Sequence, residues 1–105
     1  MEHITRDYIE KYLKEETFDL MPTQTKISFP LIIRYIQLLR EGKEPPPIKI
    51  ADRAIVDGHH RYISGHIFNL NPPHCDWIRS NASEIGNWNK VFVDSTDFES
   101  GYDEI

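Results

Sequence analysis

One short segment, Asp57-Gly58-His59-His60-Arg61, carries most of the residues in this chain that could do chemistry. The β-branched residues before it and the apolar residues at helical spacing after it predict a strand that reaches Gly58 and a helix that starts directly beyond. Amides at a helix start attract anions, and a glycine lets the backbone approach a ligand closely. Arg61 adds a guanidinium that matches phosphate or carboxylate oxygens. The segment therefore predicts an anion-binding site.

The remaining side chains of this segment suggest proton transfer. His59 and His60 supply two further donors whose charge can change near neutral pH. Asp57 could offset the cations, accept a proton from a hydroxyl group or hold Mg²⁺ through nucleotide phosphates. We therefore predict Asp57, His59 and His60 as catalytic residues, and Gly58, His59, His60 and Arg61 as phosphate-binding residues. The alternative is structural: Asp57 and Gly58 form a turn or Asp57 caps the helix, and Arg61 lies on the surface.

A small α+β domain spanning residues 1–105 is predicted to position this segment, with a mixed sheet and packed helices. Thr5 and Ser28 are the expected helix caps, and Gly42 is expected to end the second helix. Residues 1–17 are expected to form an N-terminal helical region, and residues 97–105 an acidic, solvated tail. The predicted elements are a helix from Thr5 to about Glu16, a strand from Phe18 to Met21, a helix over about Pro30–Glu41, a hairpin of Ile48–Ile50 and Ala54–Val56, a helix from His60 to Leu70, and a strand Val91–Val93 that completes the sheet.

Three further residues have predicted packing roles. Gly65, in the middle of a helix, indicates that the helix makes a close contact there. Trp77 and Trp88 are predicted to pack in the core or as a lid; stacking on a ligand is the alternative.

Composition narrows the class of protein. The 105 residues are 39% hydrophobic and 28% charged, which is typical of one folded domain. The net charge of −5 weighs against nucleic acid as a partner, and no apolar run is long enough for a membrane. Cys75 is the single cysteine, so a reducing, cytoplasmic location is expected. The histidines lack the helical spacing of a zinc site, so no structural zinc is predicted.

The Asp57–Tyr62 box, preceded by the hairpin and by a helix that ends at Gly42, resembles the core of the ParB/sulfiredoxin superfamily. The resemblance covers about Phe18 to Leu70. In that superfamily a Gly-x-x-Arg box at a helix start binds nucleotide phosphates. The resemblance therefore implies a ParB-like fold and a nucleotide ligand, ATP, ADP or CTP, held with Mg²⁺.

Branches of this superfamily differ in the residues of the box. Sulfiredoxins carry a nucleophilic cysteine after the glycine, where this chain has His59. Partition ParB proteins append DNA-binding domains, for which the chain has no room. A free-serine kinase branch has Asp-Gly-His-x-Arg, which Asp57, Gly58, His59 and Arg61 match, whereas His60 departs from the small hydroxyl residue of that branch.

A second cluster, Thr23 and Gln24, lies before the second predicted helix. In the superfamily this region approaches the box, so the resemblance implies that both side chains reach the nucleotide or its acceptor. The alternative is a turn in which both bond local backbone.

Three functions remain open from the sequence. The first is phosphoryl transfer or nucleotide hydrolysis on a nucleotide or a small phosphorylated ligand. The second is a non-catalytic, nucleotide-sensing module that binds a partner protein. The third is a ParB-like nuclease, which would need a basic track on an acidic chain.

Overall fold

The described chain combines three α-helices with small sheets that contain both parallel and antiparallel pairs, so the predicted α+β class is confirmed. The computed structural model describes residues 4–79 and 84–95. The predicted acidic tail, residues 97–105, lies outside the described residues. Within the described ranges, no helix has the length and apolar character needed to cross a membrane. The elements are α1 (Arg6–Glu15), β1 (Lys26–Ser28), α2 (Phe29–Arg40), β2 (Ile48–Ala51), β3 (Ala54–Asp57), α3 (His59–Ile67), β4 (His74–Asp76), a 3₁₀ helix (Trp88–Lys90) and β5 (Phe92–Asp94).

The predicted hairpin is confirmed as the antiparallel pair of β2 and β3. Its turn residues, Asp52 and Arg53, both have positive φ, 54° and 63°, which is the backbone that tight hairpins prefer. Strand β4 lies parallel to β2 on its other side, so the strand order is β3-β2-β4. Strands β1 and β5 form a separate parallel pair. The predicted strand at Val91–Val93 therefore exists, shifted by one residue, but it pairs with β1 instead of completing the hairpin sheet.

The predicted strand from Phe18 to Met21 is wrong. Phe18 and Leu20 are buried, but the segment is irregular, and only Met21 forms an isolated bridge, with Ala54. Backbone pairing stops at Pro22, which has no amide hydrogen to donate. The apolar side chains reflect burial in the core rather than a strand.

The predicted caps are confirmed. Thr5 Oγ1 accepts a hydrogen bond from the Tyr8 amide, and Ser28 Oγ accepts one from the Leu31 amide. Gly42 follows the end of α2 with a φ of 85°.

Helix α3 is shorter than predicted at its carboxyl end. It ends at Ile67, and the Leu70 amide turns back to donate to the Gly65 carbonyl oxygen. A Cβ at Gly65 would collide with the Leu70 carbonyl oxygen and would lie against Pro72. The glycine is therefore needed by the loop that folds back onto α3, and the close contact predicted at Gly65 is one that this loop makes with the helix.

Trp88 lies at the centre of the core, in agreement with its predicted packing role. Its side chain is 2% exposed, stacks on Tyr62 and donates from Nε1 to the Leu20 carbonyl oxygen at 2.7 Å. Both sheets contribute to the same cluster, through residues that include Ile27 and Ile48. Trp77 is 51% exposed, so of the two predicted packing roles, core or lid, the core is wrong for this residue.

Candidate functional site

The junction between β3 and α3 has the predicted order of strand, glycine and helix. Gly58 lies between them with a φ of 106°, in the left-handed region. A Cβ at this position would lie 2.6 Å from Ile48 Cγ2, so a side chain does not fit. Among the described residues no side chain caps the start of α3, and its first turn carries no acid. The positive end of this helix dipole is therefore not offset by a capping carboxylate.

Arg61 lies against this junction. Its Nη2 is 3.4 Å from Asp57 Oδ2 and 3.4 Å from the Pro47 carbonyl oxygen, both long for a charged hydrogen bond. The side chain is only 12% exposed, and its Nε is buried without an acceptor in the described part of the chain. Arg61 is thus a largely desolvated cation whose donors are poorly satisfied. The alternative interpretation, in which Arg61 lies on the surface, is therefore wrong.

Asp57 is half-exposed at the end of β3. It forms an ion pair with Arg61, one helical turn further on, instead of capping α3. Its carboxylate is accessible to a hydroxyl group or a cation. Among residues 4–79 and 84–95, no cluster of three His, Cys, Asp or Glu side chains could hold a metal ion, so a cation at Asp57 would need ligand oxygens as well.

The imidazoles of His59 and His60 lie in the interior, although their backbone forms the first turn of α3. His59 is 2% exposed, and its Nε2 accepts from the Thr23 amide at 2.9 Å. His60 is 4% exposed, and its Nε2 accepts from the Ser28 amide at 2.8 Å. These two bonds attach the chain before α2 to α3. The side chains thus act as acceptors for protein amides.

Thr23 and Gln24 differ in their relation to the site. Thr23 lies beside it: its Oγ1 donates to the Ile55 carbonyl oxygen at 2.7 Å while its amide donates to His59. Gln24 Nε2 donates to the Lys26 carbonyl oxygen two residues away. The structure therefore brings Thr23 to the Asp57–Arg61 segment and uses Gln24 locally.

Two residues outside the predicted set also lie near the segment. Lys49 is the cross-strand partner of Asp57, and its Nζ is 4.2 Å from the centroid of the exposed Trp77 ring. Strand β4 brings Trp77 there, because β4 pairs with β2. The sequence contains no clear signal for this pairing, since His74-Cys75-Asp76 has no β-branched residue.

A separate polar cluster lies where α1 meets α3. The Tyr12 hydroxyl is 2.5 Å from His66 Nδ1. Burial, aided by the nearby Glu16 carboxylate, raises the pKa of Tyr12 to about 12. Burial likewise raises the pKa of Tyr62, whose hydroxyl accepts from the Leu20 amide. This cluster belongs to the packing of α1 and not to the Asp57–Arg61 segment.

No protein-family model, no curated protein and no solved structure matches this chain. The resemblance to the ParB/sulfiredoxin superfamily therefore stays a prediction that depends on the residues of the box and on the order of the elements around it.

Proposed function

We propose that the Asp57–Arg61 segment binds the phosphate groups of a nucleotide in a ParB-like domain, and that this binding serves phosphoryl transfer or nucleotide hydrolysis. The observation that carries the proposal is that the Arg61 side chain is nearly buried while its donors are poorly satisfied. A guanidinium that is removed from water, held by long contacts and placed at the amino end of an uncapped helix is stabilised by an incoming oxyanion.

Phosphate binding follows from how these groups are arranged. Gly58, in its left-handed conformation, turns the chain directly into α3, so the amides of the first turn of α3 lie at the junction beside Arg61. Arg61 would exchange its long contact with Asp57 for a bidentate contact with phosphate, which also gives its Nε an acceptor. Asp57 would then be released beside the ligand.

The released carboxylate supports a catalytic role. Asp57 would accept the proton of an attacking hydroxyl group or water, as a general base. Mg²⁺, when held between Asp57 and phosphate oxygens, would neutralise negative charge on the transferred group. Phosphoryl transfer depends mainly on positioning and charge stabilisation, so a small set of residues is sufficient.

A non-catalytic, nucleotide-sensing module that binds a partner protein is the second candidate. The placement of the two histidines favours it, because each Nε2 accepts a protein amide and both side chains are buried. Asp57 is then the single residue of the predicted catalytic set whose side chain faces a ligand. For either function we assign the protein to the cytoplasm, where nucleotides are available.

Titration with ATP and with inorganic tripolyphosphate, followed by calorimetry, tests phosphate binding. Arg61→Gln should weaken binding of both ligands by about 10- to 150-fold, the range for a lost charged hydrogen bond. Arg40→Gln, the same charge change on an exposed side chain at the end of α2, is the matched control and should bind as the wild type does. Equal affinities of Arg61→Gln and the wild type would contradict the proposal.

Nucleotide turnover separates the two candidate functions. The catalytic function predicts that the wild type releases phosphate from ATP or transfers it to an added hydroxyl compound, and that Asp57→Asn retains binding but loses turnover. Nucleotide binding by the wild type without any product would instead support the sensing module.

A further inference from the structure

The outer face of the β3-β2-β4 sheet continues from the Asp57–Arg61 segment to an exposed aromatic ring. Asp57 on β3 and Cys75 on β4 both pair with Lys49 on β2. Neighbouring strands are about 4.8 Å apart, so β4 lies roughly 10 Å from β3. Trp77 directly follows β4, and its amide donates to the Ile50 carbonyl oxygen, which fixes its backbone to the sheet.

The ring of Trp77 is presented to solvent and held in place. It is 51% exposed, whereas Trp88 is buried, and the Lys49 ammonium lies 4.2 Å from its centroid. A concave surface of about 450 Å³ is lined by Asp76, Trp77 and Ile78. An exposed indole beside a concavity offers a flat surface on which an aromatic ligand can stack.

Lys49 connects this ring to the proposed phosphate site. Its backbone lies opposite Asp57, while its ammonium lies over Trp77. Arg61, beside Asp57, and Lys49, over the indole, thus supply positive charge at the two ends of this surface. A ligand that matches this surface has an anionic end and a flat aromatic end, as a nucleoside triphosphate does.

We infer that Trp77 is the base-stacking platform of the nucleotide site, with the phosphates at the Asp57–Arg61 segment and the base on the indole. This inference rests on the proposed function, because it takes the phosphate site as given. Stacking tolerates any base but favours the larger ring system, so purine nucleotides bind more tightly than pyrimidine nucleotides at this platform.

Calorimetric titration of Trp77→Ala with ATP and with tripolyphosphate tests the inference. Loss of stacking should weaken ATP binding by about 5- to 150-fold and leave the affinity for tripolyphosphate unchanged. Phe92→Ala is the matched control, because Phe92 is also 51% exposed and also lies under a cation, Arg6. That variant should bind ATP as the wild type does.

Fluorescence gives a second readout that does not depend on the alanine variant. ATP should quench the emission of the wild type, and quenching should be absent in Trp77→Phe, which keeps a ring for stacking and removes the exposed indole. An unchanged ATP affinity in Trp77→Ala overturns the stacking role while leaving the phosphate site intact. If the wild type binds neither ATP nor tripolyphosphate, the phosphate site and the stacking role are both overturned.

Discussion

Two glycines of the described chain have positive φ, and they differ in their surroundings. A Cβ added at Gly42, where φ is 85°, would meet no atom within 4 Å, whereas at Gly58, where φ is 106°, it would lie 2.6 Å from Ile48 Cγ2. The two positions therefore share the backbone cost of an L residue, but only Gly58 adds a steric conflict. Gly58 is thus required both by the turn and by the buried isoleucine beneath it.

This difference predicts unequal effects of alanine. Gly42→Ala should lower the free energy of unfolding by about 1 kcal/mol, the cost of a left-handed alanine. Gly58→Ala should lower it by a further ~1–3 kcal/mol, because Ile48 must shift within the packed core. Urea denaturation of both variants measures the difference. Equal losses of unfolding free energy in the two variants would mean that Ile48 moves aside at no energetic cost. Steric conflict would then not be the reason for glycine at position 58.

The residues of the site were partly predictable from their types. Strand, glycine and helix follow from hydrophobic pattern, and Arg61 from its place in the first turn. The buried positions of the His59 and His60 side chains were not predicted, because the chemistry of an anion site favours imidazoles that donate to the ligand. A signal existed: His59 precedes the buried Tyr62 by three residues, and His60 precedes the buried Ile63 by three. That spacing places both imidazoles on buried faces of α3.

At the scale of elements, the Tyr12 phenol links α1 to α3. The Tyr12 hydroxyl lies 2.5 Å from His66 Nδ1, and the Tyr12 and Phe18 rings pack edge to face. The pKa of Tyr12 is raised from 10.0 to about 12, first by burial. The folded protein therefore keeps the phenol proton over a pH range in which the unfolded chain loses it.

This shift predicts a loss of stability in alkali. Below pH 10 both states hold the proton, and between about pH 10 and 12 only the folded state does, so the free energy of unfolding decreases as pH rises. Tyr12→Phe should remove this contribution and give a shallower decline in urea denaturation between pH 9 and about 11.5. Tyr62 is present in the wild type and in Tyr12→Phe, so its titration does not contribute to the difference between their pH profiles. Parallel declines would show that Tyr12 does not retain its proton on folding.

Elements with local signals were predictable, and elements defined by distant partners were not. Helix ends and the hairpin turn depend on neighbours in sequence. Thr5, Ser28 and Gly42 were therefore sufficient to predict the helix ends. Strands β1 and β4 have three residues each, and their partners are far along the chain. Too few residues are present for alternation to appear, and the pairing depends on tertiary packing.

At the scale of the molecule, two small sheets share one hydrophobic core, and Trp88 lies at the centre of that core. Its ring contacts Phe18, Tyr62 and His59, and its Nε1 donates to the Leu20 carbonyl oxygen. A two-stranded sheet such as the β1–β5 pair is at best marginally stable alone, so it depends on packing against the rest of the molecule. The α+β class follows from sequence, whereas the division into two sheets depends on this shared packing.

Replacing each tryptophan with phenylalanine should therefore change the free energy of unfolding by very different amounts. Trp88→Phe removes core volume and leaves the Leu20 carbonyl oxygen without its donor, so the free energy of unfolding should fall by about 2–4 kcal/mol. Trp77→Phe, on the exposed ring, should change it by less than about 0.5 kcal/mol. Circular dichroism and fluorescence during urea denaturation should give one coincident transition in both variants, because the sheets share a core. Two separate transitions in Trp88→Phe would show that the β1–β5 pair unfolds independently of the hairpin sheet.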